Sequence, residues 1–271
     1  MALHSVASAA DLGATAVYED AAYYSKAYRN RRRDVEYYVA LALRCKGPVL
    51  EYGVGNGRVA LAAAQAGATV VGVDHSASML DDFKTKLQQQ PREVQRRVRL
   101  KKGDMRRTRL KQRFNLVIAP FNVVLHLYSQ MDVEEFFARV REHLTPHGRL
   151  VFDFSLPRVA ELTVDPKKTY GSPRFRHPTH GGIVKYKERF EYDSLRQILL
   201  CRMEFTPVDG SPAWEVPLTH RQFFPEEMRA LLRHNGFTWQ QWTADFSDHA
   251  PDADTDSIVI SCATKPPRIH A

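Results

Sequence analysis

Short apolar runs alternate with stretches of helical periodicity along the first 155 residues of the chain. An apolar run bounded by turn residues is typical of a buried strand, and a 3.6-residue period is typical of a helix. The pattern predicts strands at 48–54, 69–74, 98–102, 114–119 and 149–154, and helices at 17–44, 57–66, 76–89 and 132–144. Strands that alternate with helices predict an α/β protein with a doubly wound, parallel sheet and helices on both faces.

The pattern changes after Pro157. Residues 158–181 are rich in Pro, Lys, Arg and His and show little periodicity. Three alternating segments follow and predict an antiparallel β patch, and a helix and two further strands then close the chain. These elements are predicted at 182–193, 196–208 and 213–223 for the patch, at 225–235 for the helix, and at 237–246 and 257–264 for the last strands.

The composition, with 44% hydrophobic and 26% charged residues, is that of an ordinary globular protein without a transmembrane span. The three cysteines, Cys45, Cys201 and Cys262, are far apart and lack the spacing of a metal site. An odd number of distant cysteines favours a reducing, cytoplasmic location.

The formal net charge of +8 permits a polyanionic partner. Basic residues concentrate at 29–33, 96–102 and 106–113, but aromatic residues do not interleave the last two clusters. Solvated basic faces are the simpler interpretation. The charge alone therefore leaves both interpretations open.

The turn after the first predicted strand, Gly53-x-Gly55-x-Gly57, carries the clearest chemistry. Glycine lacks a Cβ, so its backbone accepts unusual angles and lets a ligand come close. Glu51 precedes the turn, where its charge would repel a pyrophosphate but suits a cationic ligand, such as the amino group and sulfonium of S-adenosylmethionine. Asp74 ends the second strand, where a carboxylate is expected to accept hydrogen bonds from both hydroxyls of a ribose.

Two further strands end in the same register. The third predicted strand leads into Gly103-Asp104-Met105, and the fourth leads into Pro120-Phe121-Asn122. With acids at the ends of the first three strands, residues 20–155 resemble the class I S-adenosylmethionine-dependent methyltransferases. The resemblance implies a Rossmann-like seven-stranded sheet, mostly parallel with the last strand antiparallel, and an inserted antiparallel patch.

The resemblance assigns each motif a part of the cofactor. Glu51 is expected to contact the methionine amine, Asp74 to hold the ribose hydroxyls, and Asp104 with the backbone of Met105 to frame the adenine, on which Met79 packs. The expected cofactor-binding residues are Tyr24, Arg33, Glu51, Gly53, Gly55, Asn56, Asp74, Met79, Asp104, Met105 and Pro120.

The segment after the fourth strand faces the transferred methyl in this family. It departs from the Asp/Asn-Pro-Pro-aromatic motif of base-amine methyltransferases and lacks the Pro-Cys of pyrimidine C5 enzymes, so the resemblance disfavours a nucleic-acid substrate. The stretch Phe121–Tyr128 resembles bacterial small-molecule N-methyltransferases, including aminosugar and glycine N-methyltransferases. In such enzymes a histidine at the position of His126 lies beside the acceptor. The same resemblance places Tyr28 at the sulfonium or the acceptor.

These expectations divide the chain into an N-terminal helical cap at 1–47, a Rossmann-like core at 48–155 and 225–265, and a substrate-covering insertion at 156–224. The expected activity is methyl transfer from S-adenosylmethionine to a small-molecule amine, without a metal, because no histidine pair shows ligand spacing. O-methylation with His126 as general base, RNA methylation, a nicotinamide-dependent oxidoreductase and a non-catalytic binding module are the alternatives. Whether the protein is a monomer or a homodimer is left open.

Overall fold

A computed structural model describes residues 13–265, and its contacts separate them into two units. One unit combines residues 13–30 with 157–223, and the other combines residues 31–156 with 224–265. Residues 31–47 therefore group with the second unit, although the sequence places them in a cap that ends at residue 47. The part of that predicted cap at 1–12 lies outside the described residues.

The elements follow one another along the chain as helices and strands of ordinary length. The helices are α1 (Ala21–Ala27), α2 (Arg33–Arg44), α3 (Ala60–Gln65), α4 (Ala77–Gln88), α5 (Arg92–Arg96), α6 (Gln130–His143), α7 (Val159–Leu162) and α8 (Pro225–His234). The strands are β1 (Val49–Tyr52), β2 (Val70–Asp74), β3 (Val98–Lys102), β4 (Phe114–Ala119), β5 (Leu144–Ser155), β6 (Tyr170–Arg176), β7 (Ile183–Asp193), β8 (Ile198–Pro207), β9 (Trp214–Arg221), β10 (Phe237–Ala244) and β11 (Ser257–Thr264). Two short 3-10 turns lie at Ala16–Glu19 and Val123–His126.

The larger unit contains a seven-stranded sheet in the order β10-β11-β5-β4-β1-β2-β3. The pairs β1–β2, β2–β3, β1–β4 and β4–β5 are parallel, whereas β11 runs antiparallel to both neighbours. Every residue of β1 and β2 is buried, as expected for strands covered on both faces. The predicted Rossmann-like sheet with its antiparallel last strand is confirmed.

The smaller unit contains an antiparallel sheet in the order β6-β7-β8-β9. Val17, Val184, Met203 and Phe205 form its buried cluster, against which aromatic residues from α1 pack. The sequence predicted three of these strands and missed β6. Pro173 interrupts the register of β6 against β7, and β6 is an edge strand, where a proline is tolerated because its missing N–H faces outward.

Smaller differences occur at the helices. The predicted helical stretch 17–44 consists of a 3-10 turn, α1 and α2, with residues 28–32 between the two helices. The short helix α5 was not predicted. Within residues 13–265, the helices are too short or too polar to cross a bilayer.

Candidate functional site

The turn between β1 and α3 requires its glycines. Gly53, Gly55 and Gly57 have φ angles of +64°, +52° and +82°, in the left-handed region that side chains disfavour. A Cβ on Gly53 would lie 2.3 Å from Cγ2 of Val123, and a Cβ on Gly57 would lie 2.4 Å from the ring of Phe83. The turn is thus packed from behind by side chains and presents bare backbone.

Asp74, at the end of β2, is tied to this turn. Its Oδ2 accepts a hydrogen bond of 2.7 Å from the N–H of Gly55, and its Oδ1 accepts one of 2.8 Å from the N–H of Ser76. Each carboxylate oxygen has a second lone pair, so both can still accept a hydrogen bond from a ligand. The arrangement presents two acceptors beside the glycine turn, which suits a vicinal diol.

Glu51 in β1 is the most informative side chain of the site. It is 2% exposed, and its Oε2 has no hydrogen-bond partner among the described residues. Burial raises the pKa of this carboxyl well above its usual range, and the nearby positive charge of Arg58 opposes that shift. A buried carboxylate oxygen without a donor is costly, and a cationic ligand would supply the missing partner.

Comparison with known proteins agrees with this geometry. Residues 49–148 match the family model described as a methyltransferase domain. The chain is 28% identical over 228 residues to YqeM of Bacillus subtilis (strain 168), which is provisionally named a methyltransferase, with 82% of this chain and 86% of YqeM covered. It is 26% identical to the CcbJ methyltransferase of Streptomyces caelestis, with a TM-score of 0.74 and 86% and 89% of the two chains covered.

The match over residues 49–148 identifies a methyltransferase domain and supports the class I S-adenosylmethionine-dependent methyltransferase family. The glycopeptide N-methyltransferase MtfA, solved with S-adenosylmethionine, shares the fold at 23% identity and a TM-score of 0.60, with 86% of this chain and 87% of MtfA covered. The methyltransferase-domain match and the methyltransferase relatives support S-adenosylmethionine as the cofactor, as predicted. Glu51 fits its ammonium group, the glycine turn fits close approach of the ligand, and Asp74 fits its ribose.

The strand end of β3 adjoins that of β2, because the N–H of Gly103 donates to the carbonyl of Asp74 at 2.8 Å. Asp104 accepts hydrogen bonds from Arg106 at 3.0 Å to Nε and 2.6 Å to Nη2. Partial burial raises the pKa of Asp104, but the bonds from Arg106 outweigh it and hold that pKa below its usual value. Met105 is half-buried beside it. The structure thus brings this predicted adenine pair next to Asp74.

Met79 and Asn56 are both buried at the turn, with 1% and 4% exposure. The Met79 Cε would lie 3.2 Å from a Cβ built on Gly55, so its side chain packs directly against the glycine turn. This position agrees with packing on an adenine and also with a purely structural role. Its predicted role therefore stays a prediction.

The segment after β4 has an unusual backbone. Pro120 is buried, and Phe121 and Asn122 follow with φ angles of +63° and +64°. Consecutive left-handed residues other than glycine cost free energy and persist only where the surroundings hold them. Here Ser155 of β5 donates its backbone N–H to the Asn122 side chain at 2.7 Å, and the Asn122 amide donates to the Ser155 hydroxyl at 3.2 Å.

A second anchor of this segment is Asp153, which sequence reasoning missed. Its Oδ1 accepts hydrogen bonds from the Phe121 N–H at 2.7 Å and from the Tyr38 hydroxyl at 2.6 Å. Burial raises the pKa of Asp153 to about 6, although both hydrogen bonds act to lower it. The available signal was a lone acid within the otherwise apolar run Leu150–Phe154.

His126 ends the 3-10 turn that follows and is half-buried. Its Nδ1 lies 3.0 Å from the Tyr128 hydroxyl, and this hydrogen bond fixes the orientation of the imidazole. His126 therefore lies on the same short segment as Pro120 and Asn122. This segment also contains Val123, which packs against the glycine turn at Gly53. Its catalytic role stays a prediction.

Three of the predicted site residues, Tyr24, Tyr28 and Arg33, come from the N-terminal part of the chain. Tyr24 and Tyr28 belong to the smaller unit, where their ring centroids are 4.8 Å apart. Arg33 is exposed at the start of α2. Their contributions to cofactor binding stay predictions.

Two other arginines lie beside the site and were missed by sequence reasoning. Arg58 donates to both oxygens of the buried Asp34, at 2.9 and 2.5 Å. The guanidinium carbons of Arg31 and Arg58 stand 4.7 and 4.8 Å from the centre of the Phe121 ring. The two arginines therefore place positive charge beside the loop after β4. The position of Arg31 in the basic run 29–33 did not indicate this contact.

Proposed function

We propose that this methyltransferase transfers a methyl group to a small molecule, at an amine nitrogen. The proposal rests on the buried, unpartnered Oε2 of Glu51, which supports binding of the methionine ammonium, and on the chemistry of the segment after β4. That segment presents an imidazole and a phenol, His126 and Tyr128, without a carboxylate of its own. MtfA, which shares the fold, is an N-methyltransferase by name.

S-adenosylmethionine supplies an electrophilic methyl group on a sulfonium with an excellent leaving group. The protein then contributes mainly position and exclusion of water. Glu51, Asp74 and Asp104 hold the donor, while the loop fixed by Asp153 and Ser155 defines the face toward the acceptor. The acceptor amine must be neutral to attack, and it loses a proton once it is methylated.

His126 is the proposed acceptor of that proton, directly or through water. Its hydrogen bond to Tyr128 holds the ring in one orientation. The same arrangement serves a phenol or acid hydroxyl, for which His126 would act as general base before attack. Small-molecule O-methylation therefore remains the alternative.

RNA methylation is the third candidate and rests only on the net charge of +8. It predicts tight binding of RNA that weakens steeply with salt. A cytoplasmic location is proposed because Cys45, Cys201 and Cys262 are all free thiols, as in a reducing compartment. The expected partner is the small-molecule acceptor, and the protein acts as a monomer or homodimer.

Calorimetric titration of the purified protein with S-adenosylmethionine, S-adenosylhomocysteine and NAD tests the cofactor site. We expect micromolar binding of both adenosyl-sulfur compounds, lost in Asp74→Ala and retained in a control at an exposed acid, Asp254→Ala. A screen of amines and phenols then identifies the acceptor class by mass spectrometry. Binding of NAD instead of the sulfur compounds, or methylation of RNA alone, would contradict the proposal.

A further inference from the structure

The smaller unit contains a cluster of possible metal ligands that the methyltransferase reaction does not use. Asp20 precedes α1, and His177 and His180 lie on the turn between β6 and β7. One ligand atom from each residue lies within 4.8 Å of the other two. The sequence analysis found no histidine pair with ligand spacing and so missed His177-x-x-His180, whose third partner is more than 150 residues away.

The imidazoles are held in place by aromatic rings. The His177 ring is 2% exposed, stacks on Tyr23 at 5.2 Å and meets the edge of Phe205 at 5.3 Å. The His180 ring lies over Trp214 at 4.2 Å. Both rings are therefore oriented before any ligand arrives.

The third ligand is already joined to the turn. The Thr179 hydroxyl donates to Oδ1 of Asp20 at 2.6 Å, and the backbone N–H of Tyr23 donates to the same oxygen at 2.8 Å. The backbone N–H of His180 donates to Nδ1 of His177 at 3.4 Å, which is a long hydrogen bond. A metal ion would thus displace a weak contact and not a strong one.

We propose that Asp20, His177 and His180 bind a divalent transition-metal ion of the zinc type, which joins the N-terminal segment to the β6–β7 turn. Two imidazoles and one carboxylate are ligands that Zn²⁺ accepts, with water in the remaining position. The ion has a structural role here, separate from methyl transfer, which needs no metal.

Binding requires the ligands to draw together. Donor atoms around a tetrahedral Zn²⁺ stand about 3.3 Å apart, given metal–ligand distances near 2.0–2.1 Å, whereas the present limit is 4.8 Å. His180 is exposed and the turn continues into Gly181 and Gly182, so this side of the cluster can move. The ammonium group of Lys26, a residue of α1, donates a hydrogen bond to the carbonyl of Arg176.

The test uses the full chain without a histidine tag, freed of metal by a chelator, and titrated calorimetrically with ZnCl₂. Co²⁺ serves as an optical probe of the same ligands. His180→Ala removes an exposed ligand, and Asp20→Asn removes the charge while keeping a residue that caps α1. The exposed His147→Ala is the matched control.

We expect one Zn²⁺ per chain, a higher thermal unfolding midpoint with Zn²⁺, and a loss of affinity of about tenfold or more in both variants but not in the control. The absence of stoichiometric binding to the wild-type protein would overturn the site. Wild-type affinity in either His180→Ala or Asp20→Asn would also overturn it. Neither readout depends on methyltransferase activity.

Discussion

The Tyr38 hydroxyl donates a hydrogen bond of 2.6 Å to Oδ1 of Asp153, which lies 115 residues further along the chain. The same oxygen accepts the N–H of Phe121, in the loop that follows β4. Helix α2, strand β5 and this loop therefore meet at one buried carboxylate. The left-handed backbone of this loop is stabilised by hydrogen bonds to residues of β5, which are distant in sequence.

Tyr38→Phe should lower the free energy of unfolding by about 1.5–3 kcal/mol at pH 7.5, because it removes a hydrogen bond to a charged group. The pKa of Asp153 is about 6, so the carboxylate is mostly ionised at pH 7.5 and mostly protonated at pH 5. Removing the donor disfavours the ionised form, and the loss of stability should therefore shrink as pH falls through 6.

Urea unfolding at the two pH values measures this difference. Tyr170→Phe, at a half-exposed tyrosine of β6, is the matched control and should change stability little at either pH. An equal loss at pH 5 and pH 7.5 in Tyr38→Phe would show that the hydrogen bond does not depend on the charge of Asp153.

Glu51→Gln should weaken binding of S-adenosylmethionine by about 10- to 100-fold, or about 1.4–2.8 kcal/mol. The change keeps the shape of the side chain and removes the charge that faces the ammonium group. Stability should stay the same or rise, because burial penalises the charged form. Calorimetry and thermal unfolding of the free protein measure the two effects.

5′-Methylthioadenosine, which lacks the amino-acid part of the cofactor, separates the roles of the two acids. Glu51→Gln should bind it as the wild-type protein does, whereas Asp74→Ala should lose it. An equal loss of both ligands in Glu51→Gln would place the defect in the fold of the turn and not at the ammonium group.

Gly53→Ala should destabilise the protein and abolish cofactor binding, since the new Cβ would stand 2.3 Å from Val123. Gly210→Ala is a useful comparison, because Gly210 has a φ of +84° and nothing within 4 Å of the added Cβ. Gly210→Ala should lower the free energy of unfolding by about 1–2 kcal/mol, from backbone strain alone. Gly53→Ala should lower the free energy of unfolding by about 1–3 kcal/mol more than Gly210→Ala does, because of overpacking. Equal losses of stability in the two variants would contradict the packing argument.

His126→Gln should reduce the turnover number about 100-fold or more with the acceptor found by screening, since general-base assistance is lost. The affinity for S-adenosylmethionine should be unchanged. Single-turnover rates and calorimetry measure the two quantities, and the exposed His147→Gln is the control. Unaltered turnover in His126→Gln would remove this residue from the mechanism.

The sequence predicted the elements that carry strong local signals. Strands 98–102 and 114–119 coincide with β3 and β4, because a turn residue, Gly103 or Pro120, follows each of them directly. Strand β6 was missed because an edge strand that contains Pro173 and charged residues has neither alternation nor a continuous apolar run. Its existence depends on pairing with β7, which local sequence does not encode.

Some residues of the site are likewise indicated by local sequence, whereas others depend on partners in distant elements. Glu51, the glycine turn and Asp74 could be singled out as candidates because they lie within one βαβ unit at fixed spacing. Asp153 and Arg58 were missed because their importance comes from partners in other elements, Phe121 and Asp34. The cluster of Asp20, His177 and His180 shows the same limitation, since only the folded chain brings it together.

The smaller unit is built from two stretches of chain that are far apart, 13–30 and 157–223. Tyr23 reaches its ring partner Phe205 only after the intervening chain has been made. At translation rates of about 5–20 residues per second, the early segment waits roughly 10–40 s for its partner strands. During synthesis it is therefore a tyrosine-rich peptide without its sheet, and this interval is when chaperones would be expected to bind it.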